Sequence, residues 1–197
     1  SKKLAEGLDA LVMDVKFGRA AFMRDREAAE ALAQSITTLA EECGVACRAV
    51  LSDMNTPLGR AAGNWLEVKE AVDCLEGHGP SDLEMLTVSL AANLPGIDSG
   101  RALIELASGR PREKFTELLA AQGADVDSFE QQLNKPAMAP VVREVTALNS
   151  GVVVRCDALS IGELVRDLGG GRQTKTDTIN PTVGVDQLAK PGEERPA

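Results

Sequence analysis

Residues 52–71 (SDMNTPLGRAAGNWLEVKEA) are the stretch that most limits what this chain can fold into. They follow an apolar run over residues 45–51, which is typical of a buried strand, and they end in a pattern typical of an amphipathic helix. Pro57, Gly59 and Gly63 mark the connection between the two as a loop. Ligands of open α/β sheets bind beyond the carboxyl ends of the strands, where such a loop lies. We therefore expect an α/β fold with a ligand site that includes this loop.

Local capping signals predict where two helices begin. Asn64 is a good N-cap residue, and Glu67 follows three positions later, as in a capping box. Ser81 and Glu84 repeat the same arrangement ahead of another helical pattern. We expect Asn64 and Ser81 to be the N-caps of these two helices.

The residues ahead of the loop predict a strand, a helix and a second strand. Residues 10–15 are apolar enough to be buried on both faces, as parallel strands are. Asp25 can cap a helix that runs to about Cys43, and Gly44 would end it. With the second strand over residues 45–51, this order predicts a right-handed crossover in a parallel sheet.

The remainder of the chain suggests a division into two domains. Residues 1–133 would be part of an α/β domain that ends in a cluster of helices, including residues 98–107 and 112–122. Two prolines in residues 134–140 indicate a linker. Residues 141–197 would then form an incomplete α+β domain.

Within residues 141–197 the pattern predicts a hairpin, a helix and a loose end. Strands over residues 141–146 and 152–156 would be joined by an Asn-Ser-Gly turn. A helix is expected over residues 160–168, and residues 183–185 could form one more strand. The polar, proline-rich residues 190–197 are expected to be frayed.

The composition excludes several classes of function. A net charge of −9 is unfavourable for general nucleic-acid binding, which needs a basic surface, and for adsorption to anionic membranes. No apolar run reaches the length of a transmembrane helix. The four cysteines are scattered without the spacing of a zinc site, so we expect reduced thiols and a cytoplasmic protein.

Several long strings resemble the thymidine and pyrimidine-nucleoside phosphorylases, in the order in which that family has them. They are residues 1–3 (SKK), 7–23 (GLDALVMDVKFGRAAFM), 52–71, 76–83 (EGHGPSDL), 120–123 (AAQG) and 169–172 (GGGR). The resemblance implies an α/β fold of the nucleoside phosphorylase and phosphoribosyltransferase type, with a partial parallel sheet, flanking helices and a partial C-terminal α+β domain. It also implies a homodimer and a reversible reaction of thymidine with phosphate, which gives thymine and 2-deoxy-α-D-ribose 1-phosphate.

The resemblance assigns a substrate contact to Lys2. In the family, a Ser and a Lys one helical turn apart face the pyrimidine; Lys2 matches that Lys, and the Ser would precede Ser1. A cation at the base carbonyl stabilises the negative charge that the departing pyrimidine acquires in the transition state. Without the resemblance, a lysine at this place is an ordinary solvated residue.

The resemblance also implies a potassium site, although the family reaction requires no cofactor. Its ligands in this segment are two backbone carbonyls and one carboxylate, and Leu58, Ala61 and Glu70 match those positions. One carboxylate among neutral oxygens suits a weakly charged ion better than calcium. The alternative is that Glu70 is simply a solvated helix residue.

Other residues of suggestive type receive structural interpretations. Asp14 and Lys16 at the end of the first strand suggest an ion pair, and His78, the one histidine, lies in a turn without a nucleophile near it in sequence. The glycines of residues 169–171 lack the strand and helix of a phosphate loop, so they predict a helix stop.

The chain departs from the family in two respects. Arg19 stands where bacterial members have a small residue, and the helical domain, the phosphate-binding elements and the base-binding Arg of the family would all precede Ser1. We therefore expect a fragment that cannot turn over thymidine by itself. Two alternatives stay open: an anthranilate phosphoribosyltransferase-like enzyme, for which no suitable Asp/Glu pair is evident, and a non-catalytic dimer module.

Overall fold

The first part of the chain contains two parallel strands that pair with each other and a long helix that connects them. In a computed structural model, residues 2–135 and 139–196 are described, with the backbone alone for Lys2 and Leu4. The elements in order are α1 (Lys2–Ala5), β1 (Ala10–Phe17), α2 (Arg26–Glu42) and β2 (Ala46–Asp53). The two strands pair in parallel, from Ala10 opposite Ala46 to Phe17 opposite Asp53. The α/β class and the strand–helix–strand order are thus confirmed, and each strand runs two residues further than predicted.

Small side chains let α2 pack closely on the sheet. Asp25 caps the helix as predicted, since its side chain accepts the Ala28 amide at 2.8 Å. Ala29 and Ala33 pack with Val15 of β1, and Ala29 is 0% exposed. A second cluster joins Ala40 to the amino end of β2. With 3% aromatic residues in the chain, alanine and valine form this core.

Five helices lie between β2 and residue 134. They are α3 (Asn64–Leu75), α4 (Ser81–Ala92), α5 (Ser99–Ala107), α6 (Arg110–Ala121) and α7 (Val126–Leu133). The sequence interpretation missed α7, although Asp125 caps it through the Ser128 amide at 3.0 Å. Its Phe129 ring lies 5.8 Å from the Trp65 ring and 5.9 Å from the Phe115 ring, in edge-on contacts that join three helices.

Both predicted capping boxes form only in part. The N-cap of α3 is Gly63, because Asn64 is already helical and donates its side-chain amide to the Gly170 carbonyl at 2.9 Å. Glu67 does reach back, and it accepts the Gly63 amide at 3.0 Å. Pro80 likewise replaces Ser81 as the N-cap of α4. The predicted N-caps were therefore wrong by one residue.

The predicted hairpin in the last third of the chain is wrong. Residues 141–147 form no strand, and the residue surfaces of Val141, Val142 and Val145 are 74–89% exposed. These valines have no second layer among the described residues to pack on, and an isolated hairpin is marginally stable. Instead, β3 (Gly151–Val152) pairs antiparallel with β4 (Glu194–Arg195).

Residues 190–196 include β4 (Glu194–Arg195), contrary to the expected fraying. Helix α8 (Ala158–Val165) and a π-helical turn (Arg166–Gly170) precede a segment that returns to the loop after β2. The expected strand over residues 183–185 is a single antiparallel bridge between Ala62 and Val185. Of the predicted linker, residues 136–138 lie outside the described part of the chain.

Candidate functional site

The loop between β2 and α3, residues 54–63, is packed against the C-terminal segment, residues 180–195. Ala62 and Val185 exchange two backbone hydrogen bonds of 2.8 Å, and Leu188 donates to the Arg60 carbonyl at 2.9 Å. Trp65, at the start of α3, donates its amide to the Pro181 carbonyl at 3.1 Å. The loop conformation therefore depends on residues more than a hundred positions further along the chain.

The Glu70 carboxylate faces this loop from α3. It accepts the Arg60 amide at 2.7 Å. Burial raises the pKa of Glu70, and the amides of Arg60 and Ala61 partly oppose that rise. Gly59 has a φ of +69°, and a Cβ at this position would overlap the Glu70 carboxylate. Glu70 is thus a half-buried anion around which the loop folds, and not a freely solvated helix residue.

The backbone carbonyls predicted as cation ligands have no hydrogen-bond donor among the described residues. Leu58 and Ala61 both lie in the loop, and Ala61 is 6% exposed. Buried carbonyl oxygens almost always have a partner, so the Ala61 carbonyl could accept a ligand; Leu58 is 39% exposed, and its carbonyl is also free to accept one. Two carbonyls and one carboxylate fit a monovalent cation, and the potassium site stays a prediction. In the described part of the chain, no three or more His, Cys, Asp or Glu side chains could together hold a metal ion.

Two basic residues connect the C-terminal segment to the loop, and the sequence interpretation missed their roles. The Lys190 ammonium donates to the Pro57 carbonyl and, at 2.9 Å, to Asp82. Burial alone would raise the pKa of Asp82, but the hydrogen bond and charge of Lys190 hold it below the usual value. Asp82 also accepts the Gly59 amide at 3.2 Å.

Arg60 makes the second connection. Its guanidinium donates to the Leu188 carbonyl at 3.0 Å and to both carboxylate oxygens of Glu193. This pairing with Arg60, together with the Lys190 amide, lowers the pKa of Glu193 to about 2. No local sequence pattern predicts these contacts, because Arg60 and Glu193 are 133 residues apart.

A polar cluster lies at the carboxyl ends of the two parallel strands. Lys16 pairs with Asp14 at 2.6 Å and with the Ser52 hydroxyl at 2.9 Å, and Ser52 also donates to Asp14. Each of the three groups has partners within the cluster. The predicted ion pair between Asp14 and Lys16 is confirmed, and Ser52 belongs to it.

Arg19 connects the loop after β1 to the C-terminal part of the chain. Its guanidinium lies 3.3 Å from Asp157, which caps α8, and its amide donates to the Asn55 side chain at 3.0 Å. Arg155 lies at the same distance from Asp157. The Arg19 side chain is 56% exposed, so its ion pair contributes at most about 1 kcal/mol to stability.

The remaining sequence candidates fall outside the loop site. The backbone of Lys2 lies in α1, and its side chain lies outside the described atoms, so its substrate contact stays a prediction. His78 is exposed in a turn, where its amide donates to Asp73 at 2.8 Å. Gly169 has a φ of +95° and ends the helical turn, as predicted for residues 169–171.

Two further findings concern the cysteines and the helices. Cys43, Cys47, Cys74 and Cys156 are free thiols, and burial raises the pKa values of the last three. Among the described residues, no helix has the length and apolar character needed to cross a membrane.

Two family models match the chain in succession. The family described as "Glycosyl transferase family, a/b domain" matches residues 1–102, and "Pyrimidine nucleoside phosphorylase C-terminal domain" matches residues 152–194. The first match contains β1, β2, the loop and Glu70, and the second contains α8 and Lys190.

Curated relatives match almost the whole chain. The pyrimidine-nucleoside phosphorylase of Staphylococcus haemolyticus is 41% identical, over 94% of this chain and 45% of the relative. That of Bacillus subtilis is 39% identical, over 98% of this chain and 47% of the relative. The thymidine phosphorylase of Agrobacterium fabrum is 38% identical, over 95% and 45% respectively. The chain thus spans about half the length of the curated relatives it matches.

Proposed function

The chain belongs to the pyrimidine-nucleoside and thymidine phosphorylase family, and we propose that it supplies part of an enzyme that cleaves pyrimidine nucleosides with phosphate. One observation carries the proposal. Both family models match this chain in succession, and the chain is 38–41% identical to three such enzymes. The expected products are a free pyrimidine and a pentose 1-phosphate. Thymidine is the substrate we propose first, and a homodimer is the proposed assembly.

The reaction needs no covalent intermediate with the protein. Phosphate attacks C1′ of the sugar while the base departs with the electron pair of the glycosidic bond. The protein has to position the two reactants and to stabilise the charge that develops on the base. Lys2 is the residue of this chain that we propose for that charge, because an ammonium at the base carbonyl binds the transition state more strongly than the substrate.

The loop after β2 has a supporting role in this proposal. The carbonyls of Leu58 and Ala61 and the carboxylate of Glu70 would hold a monovalent cation, with potassium as the first candidate. The ion would supply positive charge that holds the loop beside Glu70.

A chimeric enzyme, in which all 197 residues of this chain are joined to the rest of a relative, tests the proposal. This chain would replace the matched segment, 47% of the length, of the Bacillus subtilis relative. The folded chimera is mixed with phosphate and either thymidine or uridine, and release of the free base is measured. Base release supports the proposal, and the ratio of the two kcat/KM values gives the substrate preference.

Variants of neighbouring lysines make the test specific to the site. Lys2→Ala should lower kcat/KM by an amount equivalent to about 2–4 kcal/mol of transition-state stabilisation. Lys3→Ala is the matched control, because Lys3 is an exposed lysine that pairs with Glu6 at 3.6 Å. A folded chimera that releases no base, while the parent enzyme does, would overturn the proposed function; equal activity of Lys2→Ala would remove Lys2 from the site.

A further inference from the structure

Lys190 contacts the loop on both sides of Leu58. Its ammonium donates to the carbonyl of Pro57, immediately before Leu58. It also donates to the Asp82 oxygen at 2.9 Å that accepts the Gly59 amide, immediately after Leu58, at 3.2 Å. The part-buried Lys190 ammonium therefore restrains the peptide group before Leu58 directly and, through Asp82, the peptide group that contains the Leu58 carbonyl.

The same segment restrains the peptide groups beside Ala61. On one side, the Arg60 carbonyl accepts from Leu188, and on the other, Ala62 exchanges two hydrogen bonds of 2.8 Å with Val185. Among the described residues, the carbonyls of Leu58 and Ala61 have no hydrogen-bond donor, whereas those of Pro57, Arg60 and Ala62 accept from residues 185–190. The segment orders the loop and leaves these two oxygens available.

We propose that Lys190 is a positioning residue for the loop after β2. By holding this loop, Lys190 couples the docking of the C-terminal segment to the binding of a cation at Leu58, Ala61 and Glu70, so that each event stabilises the other. The cation half of this inference rests on the proposed function; the restraint of the loop does not. Two events that favour the same conformation increase each other's equilibrium constants by the same factor.

The chemistry of the contact explains why a lysine is suited to this place. The Lys190 side chain is 15% exposed, and its ammonium bonds to one neutral carbonyl and one carboxylate. Its charge compensates Asp82 where solvent screening is reduced, so a neutral residue would leave Asp82 half-buried without its cation. Arginine could make both contacts with its planar fork of donors.

Hydrogen exchange on the 197-residue chain tests the restraint without any cation. In choline chloride buffer, Lys190→Met should speed exchange of the Gly59 and Arg60 amides by about tenfold. The β1 and β2 amides should keep their rates, which distinguishes local opening from general destabilisation. Lys190→Arg should restore most of the protection, and Lys175→Met, at an exposed lysine of the same C-terminal part, is the control.

Potassium titration tests the coupling. Potassium replaces choline at constant ionic strength, and fluorescence of Trp65, the single tryptophan of the chain, is the readout. The apparent potassium affinity should fall several-fold in Lys190→Met and recover in Lys190→Arg.

The outcomes distinguish this inference from the proposed function. Unchanged loop exchange in Lys190→Met overturns the positioning role, and a faster-exchanging loop with unchanged potassium affinity overturns the coupling. If the wild-type chain binds no potassium but Lys190→Met still loosens the loop, the cation site is wrong and the positioning role stands.

Discussion

At the scale of single residues, Glu70 combines a structural and a chemical role. Its carboxylate accepts the Arg60 amide at 2.7 Å, and it lies so close to Gly59 that a Cβ there would force it to move. Because burial raises the pKa of Glu70, ionisation of this group opposes folding, whereas the hydrogen bond to the loop favours it. The two effects can be separated by substitution.

We expect Glu70→Ala to destabilise the chain by about 1–3 kcal/mol, because the Arg60 amide loses its acceptor. Glu70→Gln should cost less, since the side-chain amide keeps one acceptor oxygen and removes the half-buried charge. Urea unfolding followed by Trp65 fluorescence measures both values. Both variants should abolish any stabilisation by potassium, and equal stability of the two would contradict the acceptor role.

At the scale of elements, a glycine allows the start of α3 to contact the C-terminal segment. Gly63 has a φ of +139°, and a Cβ at this position would lie 2.5 Å from the Val183 carbonyl. The backbones of the two elements can therefore approach closely only at glycine. Gly184 faces Gly63 from the other side, where a Cβ would overlap the Ala62 carbonyl.

Gly63→Ala should destabilise the chain more than Gly77→Ala does. Gly77 also has a positive φ, +79°, but has open space around it, so its substitution costs about 1 kcal/mol of backbone strain alone. Gly63→Ala adds a steric clash with Val183, which should roughly double or triple that loss. Thermal unfolding of the two variants provides the comparison; similar losses would mean that the close approach contributes little.

At the scale of the whole molecule, charged pairs join the loop after β2 to the C-terminal segment. Arg60 and Glu193 are 133 residues apart, and the pairing lowers the pKa of Glu193 from its usual 4.5 to about 2. A lowered carboxyl pKa means that the unfolded chain binds more protons in this range, so stability rises with pH there. The contribution of Glu193 is complete above about pH 4.5 and is lost as the pH falls towards about 2.

Glu193→Gln should therefore be less stable than the wild type at neutral pH, and the difference should shrink as the pH falls from 4.5 towards 2. Urea unfolding at a series of pH values measures the difference. Glu194→Gln is the control, because Glu194 is an exposed neighbour in β4 and should show no such trend. A difference that is independent of pH would show that the charge of Glu193 does not contribute.

Short-range patterns predicted the α/β class, the parallel strand pair, the Asp25 cap and the helix stop at residues 169–171, because apolar periodicity, capping and glycine conformation act over a few residues. The identities of Leu58, Ala61 and Glu70 came from resemblance to a family, and the packing then gave Glu70 its half-buried position. The roles of Lys190, Glu193 and Arg19 could not be read from their neighbours, since each contacts a residue more than a hundred positions away. The hairpin prediction failed for the same reason: the valine-rich residues 141–146 favour a strand, but a strand forms only where another layer covers it.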